Sequence, residues 1–510
     1  MFAQALARSF RLHRSGIALI HDKQEVGWEA LGRSVAGVAG ALRKAGIRLG
    51  DRVAVLADNS PAHATAMYAI AWAGAVLVPL NTRLSVSEMA QILAESGAVA
   101  LFSDAANASA AQQLRRDLPL KSYGLGAGAS GQDWAASCGH AAVDAATCPM
   151  TELAAIYYTG GTTGAPKGVM LSDGALLMQG MTLCDELSIR RQSIVHQAPP
   201  LFHLAGAGVA HACVLAGATQ IYAGHFDAAG LLRTVAERRA THVSVVPTML
   251  SVMMELDGVS DAFRSVERMI YGTSSITEAA LRKVIAACPN AEMTQIYGQT
   301  ECAGACLFLP PEDHALDGPR RARLVTAGRP NIFSEVRLVD AADQPVAPGT
   351  PGEITIRGPS VMLGYWQKPD VTADALRGGW LHTGDVGLED EAGYIRIVDR
   401  IKDMIVSGGE NVFCAEVENA IATHAEVSFC AVVGLPDARW GERVHAVIGR
   451  TAGSALGEAA VIAHCRALIA HYKCPKTVSF TTEPLPLSPV GKVRKDLLRA
   501  RLIQKTGAVQ

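Results

Sequence analysis

Residues 159–168 read Thr159-Gly160-Gly161-Thr162-Thr163-Gly164-Ala165-Pro166-Lys167-Gly168 and carry more potential chemistry than any other stretch of the chain. Glycines let a backbone turn its N–H groups inward, threonines add hydroxyl donors, and Lys167 supplies a fixed positive charge. Together they compose a cradle for a polyphosphate. It is not a Walker A loop, because Pro166 stands where a glycine should precede the lysine. The apolar run 153–158 before it and Val169-Met170-Leu171 after it read as two strands. A flexible surface loop would share this composition, so the segments downstream must decide.

Four such segments follow in order. They are Tyr297-Gly298-Gln299-Thr300-Glu301, then Gly379-Trp380-Leu381-His382-Thr383-Gly384-Asp385, then Asp399-Arg400-Ile401-Lys402-Asp403 with Ser407-Gly408-Gly409-Glu410-Asn411, and last Pro489-Val490-Gly491-Lys492. Singly, each is more often structural. An Asp after Gly usually caps its own turn, and Lys492 beside Arg494 and Lys495 reads as a solvated lysine. In this order, from Asp51 to Lys492, the set resembles the adenylate-forming superfamily of acyl-CoA synthetases, luciferases and peptide-synthetase adenylation domains. The Gly-Gly-Glu-Asn variant is most similar to fatty-acyl and aryl-CoA ligases.

The resemblance implies a division of labour. Thr159, Gly160, Gly161, Thr162, Thr163, Gly164 and Lys167 would hold the β- and γ-phosphates of ATP. Glu301 would anchor Mg²⁺ as a hard oxygen ligand, and Thr300 would bond the α-phosphate. Tyr297 and Gly298 would face the adenine, with Gly272, Thr273 and Ser274 along its edge. Asp385 would accept from the ribose hydroxyls and Arg400 would contact ribose or phosphate. Lys492 would bridge the substrate carboxylate and the α-phosphate. The C-terminal domain would then turn about Lys402, presenting Gly408 and Gly409 to the pantetheine arm of coenzyme A.

The implied reaction takes a carboxylic acid, MgATP and coenzyme A to acyl-CoA, AMP and pyrophosphate. Pro199–His203, residues 245–249, Gly298, Cys302, Ala303 and Gly304 resemble the acyl pocket of the family. They contain no Arg or Lys to pair a second carboxylate, which favours an apolar monocarboxylic acid. A medium- or long-chain fatty acid is the first expectation and an arylcarboxylate the second. An acyl-AMP ligase serving a carrier protein and a non-catalytic nucleotide-binding paralogue are the competitors. His203 either gates the pocket or is a packed histidine. Three positions depart from the commoner family pattern, namely Thr273-Ser274-Ser275, Asp173 in place of His, and Cys414 in place of Pro.

These groups must be positioned by a large scaffold. The chain has 510 residues, 49% hydrophobic and 18% charged, which implies more than one domain. Net charge is -2, so composition offers no case for nucleic acid or an anionic membrane. Eleven cysteines without a CxxC argue for reduced thiols in a cytoplasmic protein and against structural zinc. Residues 62–80 lack any charged side chain, but they read as a buried helix entering a core strand rather than a membrane span. The N-terminus, with Arg8, Arg11 and Arg14, reads as an amphipathic helix. The Gly126–Gly131 pattern GxGxxG reads as a loop.

From Asp51 the pattern is βαβαβ, and a second alternating region spans residues 153–297. Residues 320–398 predict a small β-barrel or distorted sheet. The fold expected is α/β, with a large N-terminal domain (1–399) of two doubly wound sheets plus that β-barrel. A small α+β C-terminal domain (400–510) would follow on a hinge. A homodimer is compatible with this reading.

Overall fold

A computed structural model describes residues 1–159, 166–274, 276, 278–486 and 493–506. Packing divides the chain into two compact units, residues 1–336 with 356–381, and residues 337–355 with 382–510. The boundary expected at Asp399-Arg400 falls at the end of the strand Ile395–Arg400, inside the second unit.

The first unit contains two sheets. One has seven strands in the order Gly364–Tyr365, Lys167–Ser172, Leu153–Thr159, Val76–Pro79, Arg52–Leu56, Ala100–Ser103, Lys121–Gly124. Its inner pairings are parallel, and the Lys167–Ser172 and Gly364–Tyr365 strands close one side antiparallel. Val53, Ala54, Val55 and Leu56 are fully buried, as befits a parallel strand covered on both faces. The other sheet has nine strands, with a parallel interior that includes Arg268–Gly272 beside Glu292–Tyr297. The two doubly wound sheets of the sequence reading are both present.

The charge-free stretch 62–80 becomes the helix Pro61–Ala73 and the strand Val76–Pro79. Ser60 accepts from the His63 N–H, Pro61 opens the helix, and Gly74 closes it at φ +76°. Thirteen residues span only about 20 Å, too short for a bilayer core. No helix among the described residues is long and apolar enough to cross a membrane. The first helix, Phe2–Leu12, buries Phe2, Leu6 and Phe10. The Phe2 N–H donates to Asp173 Oδ2 at 2.8 Å, so Asp173 fastens this helix to the one that Asp173 begins. Gly126–Gly131 is a loop, as expected.

The second unit supplies most of a four-stranded sheet, ordered Glu335–Val339, Gly352–Arg357, Leu381–Glu389, Ile395–Arg400. Of the two forms expected for residues 320–398, the strands take the sheet. A five-stranded sheet follows, with Val427–Asp437 and Gly441–Arg450 at its centre and the helices Cys414–Ala422 and Glu458–Leu468 packed together beside it. All eleven cysteines are free and none is exposed.

Candidate active site

Strands Leu153–Thr159 and Lys167–Ser172 pair antiparallel with Thr159 opposite Lys167. The two residues that flank the Thr/Gly segment therefore face each other on one rung of the ladder. Gly160, Gly161, Thr162, Thr163 and Gly164 lie outside the described residues. Thr159 Oγ1 donates to the Lys167 carbonyl at 3.5 Å. At the exit, Lys368 Nζ donates to the Pro166 carbonyl at 3.3 Å and lies 3.8 Å from Glu95. Lys167 Nζ sits 5.2 Å from the centroid of the Tyr365 ring.

The residues expected along the adenine lie at the carboxyl ends of two neighbouring parallel strands, where open α/β sheets bind ligands. Gly272 ends the first strand. A Cβ there would meet the Ile296 carbonyl oxygen at 2.3 Å, so no larger residue fits. Thr273 follows at φ +71°, a β-branched residue in the left-handed region. Such strain costs about 1–3 kcal/mol and tends to persist at functional sites. Ser274 continues that turn. Tyr297 ends the second strand half-buried, and the short 3₁₀ turn Thr300–Cys302 carries Thr300 and Glu301.

Gly298 lies against backbone. A Cβ on it would meet the Gly304 carbonyl carbon at 2.6 Å and the Ala305 nitrogen at 2.7 Å. Gly298→Ala is expected to cost about 1–3 kcal/mol, because backbone cannot swing aside as a side chain does. A thermal melt of the variant equal to the parent's would refute that reading.

Glu301 is held from two directions. Its carbonyl accepts from the Met362 N–H at 2.8 Å, and its Oε1 accepts from the Tyr365 hydroxyl at 2.9 Å. Burial, reinforced by the negative charge of Glu301, raises the Tyr365 phenol far above its ordinary pKa, so it remains a donor. A hard carboxylate in this place fits Mg²⁺, which commonly takes one or two carboxylates and finds its other ligands on phosphates and water. No group of three metal-ligating side chains occurs among the described residues.

His203 caps the helix Leu204–Ala216, its Nδ1 accepting from the Ala205 N–H at 3.2 Å. Its sequence neighbours Leu201 and Leu204 are buried, as are Cys302 and Ala303. Gln179, not singled out from the sequence, donates its Nε2 to the Ala303 carbonyl and crowds Gly208 and Gly304.

In the second unit, Asp385 is buried and pairs in register with Arg400, Nε to Oδ1 at 3.1 Å. The turn that presents Asp385 is gripped by Glu353, which sequence reasoning missed. Its Oε1 accepts from the Gly384 N–H at 2.9 Å and its Oε2 lies 2.8 Å from His382 Nδ1. A Glu next to a strand start looks like any solvated residue until His382 folds over it. Lys402 has a lowered pKa, first through burial and then through the charge of Arg400. Asp399 accepts from the Arg400 N–H at 2.8 Å and from the Cys414 N–H. A proline at 414 would lack that second donor, so the cysteine there adds a link.

Gly408 and Gly409, at φ +63° and +86°, form a two-residue hairpin turn between Ile405–Ser407 and Glu410–Val412. Both positive angles mark a type I′ turn, for which glycine is suited. The Gly408 N–H donates to the Trp440 carbonyl at 2.8 Å, and the indole packs so tightly that a Cβ on Gly408 would meet it at 2.7 Å. Lys492 lies outside the described residues. Beside it, the Arg494 N–H donates to the Pro486 carbonyl at 2.7 Å, and Lys495 Nζ reaches Glu418 at 2.7 Å.

Comparison with known proteins agrees with this geometry. The profile of the AMP-binding enzyme family matches residues 6–366, and that of the AMP-binding enzyme C-terminal domain matches residues 416–492. A feruloyl-CoA synthase from an Amycolatopsis species is 36% identical over 503 residues, covering 97% of each chain. A long-chain-fatty-acid–CoA ligase from Mycobacterium tuberculosis is 34% identical over 464 residues, covering 90% of each. The crystal structure of ATP-bound MatB from Rhodopseudomonas palustris superposes with a TM-score of 0.90 at 29% identity, covering 98% of this chain and 99% of the other. Motif order, sheet architecture and these likenesses converge, and the chain belongs to the AMP-binding enzyme family, among its acyl- and aryl-CoA ligases.

Proposed function

We propose that this ligase activates an aromatic monocarboxylic acid of the arylpropenoate type, with a medium- or long-chain fatty acid as the second reading. The observation that carries the reaction is the joining of Lys167 and Glu301 through Tyr365, which sets a phosphate-binding cation near a metal-binding carboxylate. The aryl preference is supported by the feruloyl-CoA synthase likeness over nearly the whole chain. The fatty-acyl reading is supported by the mycobacterial relative.

In the first half-reaction a carboxylate oxygen attacks the α-phosphorus of ATP, and pyrophosphate leaves. Lys167 and the Thr/Gly segment hold the departing phosphates, while Thr300 bonds the α-phosphate. Mg²⁺, held by Glu301, would neutralise phosphate charge. Lys492 offsets the repulsion between carboxylate and phosphate. Asp385, kept in place by Glu353, receives the ribose hydroxyls, and Arg400 contacts ribose or phosphate. In the second half-reaction the coenzyme A sulfur attacks the acyl carbonyl and AMP leaves, with the Gly408-Gly409 turn admitting the pantetheine arm. The flat face of Trp440 beside that turn is suited to the coenzyme's nucleotide end.

A panel assay tests the substrate class. The kcat/KM for AMP release with coenzyme A should be at least about tenfold higher for ferulate, coumarate or cinnamate than for octanoate or palmitate, since even one methylene gained or lost in an apolar pocket is worth roughly 1–3 kcal/mol. The reverse order would replace the aryl reading with the fatty-acyl one.

A further inference from the structure

The segment Met362–Lys368 touches the phosphate hairpin and Glu301 at once. The Met362 N–H binds the Glu301 carbonyl, the Leu363 N–H the Met170 carbonyl at 2.9 Å, and the Trp366 N–H the Gly168 carbonyl at 2.7 Å. Gly364 and Tyr365 pair as a short strand with Met170 and Val169. The Tyr365 N–H donates to Thr372 Oγ1 at 2.9 Å, and the Trp366 indole N–H donates to the Glu95 carbonyl at 2.9 Å. The Tyr365 backbone is therefore fixed from both sides, and its buried ring has little room to move.

From that position one side chain serves two charges. The hydroxyl donates to Glu301 Oε1 at 2.9 Å, while the ring faces Lys167 Nζ at 5.2 Å from its centroid. A phenol that donates to a carboxylate and offers its π-face to an ammonium satisfies both without transferring a proton to either. We propose that Tyr365 is a positioning residue of the adenylation site, setting the carboxylate that takes the metal and the ammonium that takes the phosphates at one fixed separation. Oε1 of Glu301 thus accepts from Tyr365, and the carboxylate would still have lone pairs to offer a cation. The proposal rests on the assignment of Lys167 and Glu301 to MgATP, and goes beyond it by naming what aligns them.

The test measures equilibrium binding rather than turnover. ATP affinity of the full-length chain is titrated calorimetrically against Mg²⁺, with Mn²⁺ and its paramagnetic resonance as a second probe. Failure of the parent to bind MgATP would sink the assignment of Lys167 and Glu301 themselves. Given parental binding, Tyr365→Phe should weaken the metal dependence of ATP binding about 10- to 100-fold, the usual effect of removing a partner that orients a metal ligand. The KM for the carboxylic acid should stay unchanged. Tyr365→Phe added to Glu301→Gln should weaken binding no further than Glu301→Gln alone. Tyr365→Leu should also reduce ATP affinity without metal, because Lys167 loses its ring face.

Unchanged metal dependence in Tyr365→Phe, or fully multiplicative losses in the double variant, would overturn the proposal. Should Tyr365→Phe not fold, ¹³C-labelled tyrosine in the unmutated protein gives the answer. The phenol resonance of Tyr365 must shift on MgATP binding and must not shift in Glu301→Gln; a resonance indifferent to MgATP overturns the idea equally.

Discussion

Lys492→Ala should slow formation of the acyl-adenylate about 10²- to 10³-fold while leaving thioester formation from supplied acyl-adenylate within about threefold of the parent. The asymmetry follows from charge. In the first half-reaction two anions, carboxylate and phosphate, must close to bonding distance, and a single electrostatic donor at such a transition state is worth roughly 3–4 kcal/mol, or 10²–10³ in rate. In the second half-reaction the bond that breaks separates acyl group from AMP, and the attacking sulfur does not approach the α-phosphorus. Single-turnover assays of the two halves distinguish the cases. Equal loss in both would mean that this lysine supports the fold or a shared ligand instead. The C-terminal family match runs to residue 492, so the lysine lies inside the matched domain.

Lys402→Pro should slow thioester formation about 10²-fold while changing adenylation little, if the C-terminal part of the chain turns about this residue between steps. Misplacement of a reacting group by an ångström costs about that factor. The substitution is informative because of its surroundings. The turn leaving Ile395–Arg400 is made by the Asp403 and Met404 N–H groups, both donating to the Arg400 carbonyl. The N–H of Lys402 is not among those bonds, so proline removes rotation about φ without removing a turn hydrogen bond. It also restricts Ile401 before it. Lys402→Ala controls for the lost charge and should leave both steps near parental. Equal slowing of both steps in Lys402→Pro would disprove a rotation confined to one transition.

Much of this was legible in the sequence because its warrants are local. The strand Arg52–Leu56, the helix opened by Ser60-Pro61 and the two-glycine turn at 408–409 each follow from residues adjacent in the chain. So does the hairpin around the phosphate segment, since an apolar run on each side of a glycine loop has few other ways to pair. Glu353 and Tyr365 were invisible for the opposite reason. Glu353 acts on His382 and Gly384 some thirty residues later, and Tyr365 on Glu301 some sixty residues earlier. Nothing in the type or spacing of either residue announces its partner. Asp173 and Cys414 were noticed only as departures, and the structure gives each a hydrogen-bonding role that the more frequent residue would not fill in the same way.

The state of the eleven thiols has a chemical consequence. Burial pushes Cys184 and Cys465 up to about 11 and Cys288 and Cys430 up to about 12, and Cys414 still higher. At neutral pH these sulfurs are protonated, hence poor nucleophiles. An enzyme that makes mixed anhydrides for capture by a foreign thiol runs a standing risk of capturing them itself. Keeping these five sulfhydryls protonated would protect the protein from self-acylation and reserve the activated carbonyl for the incoming coenzyme.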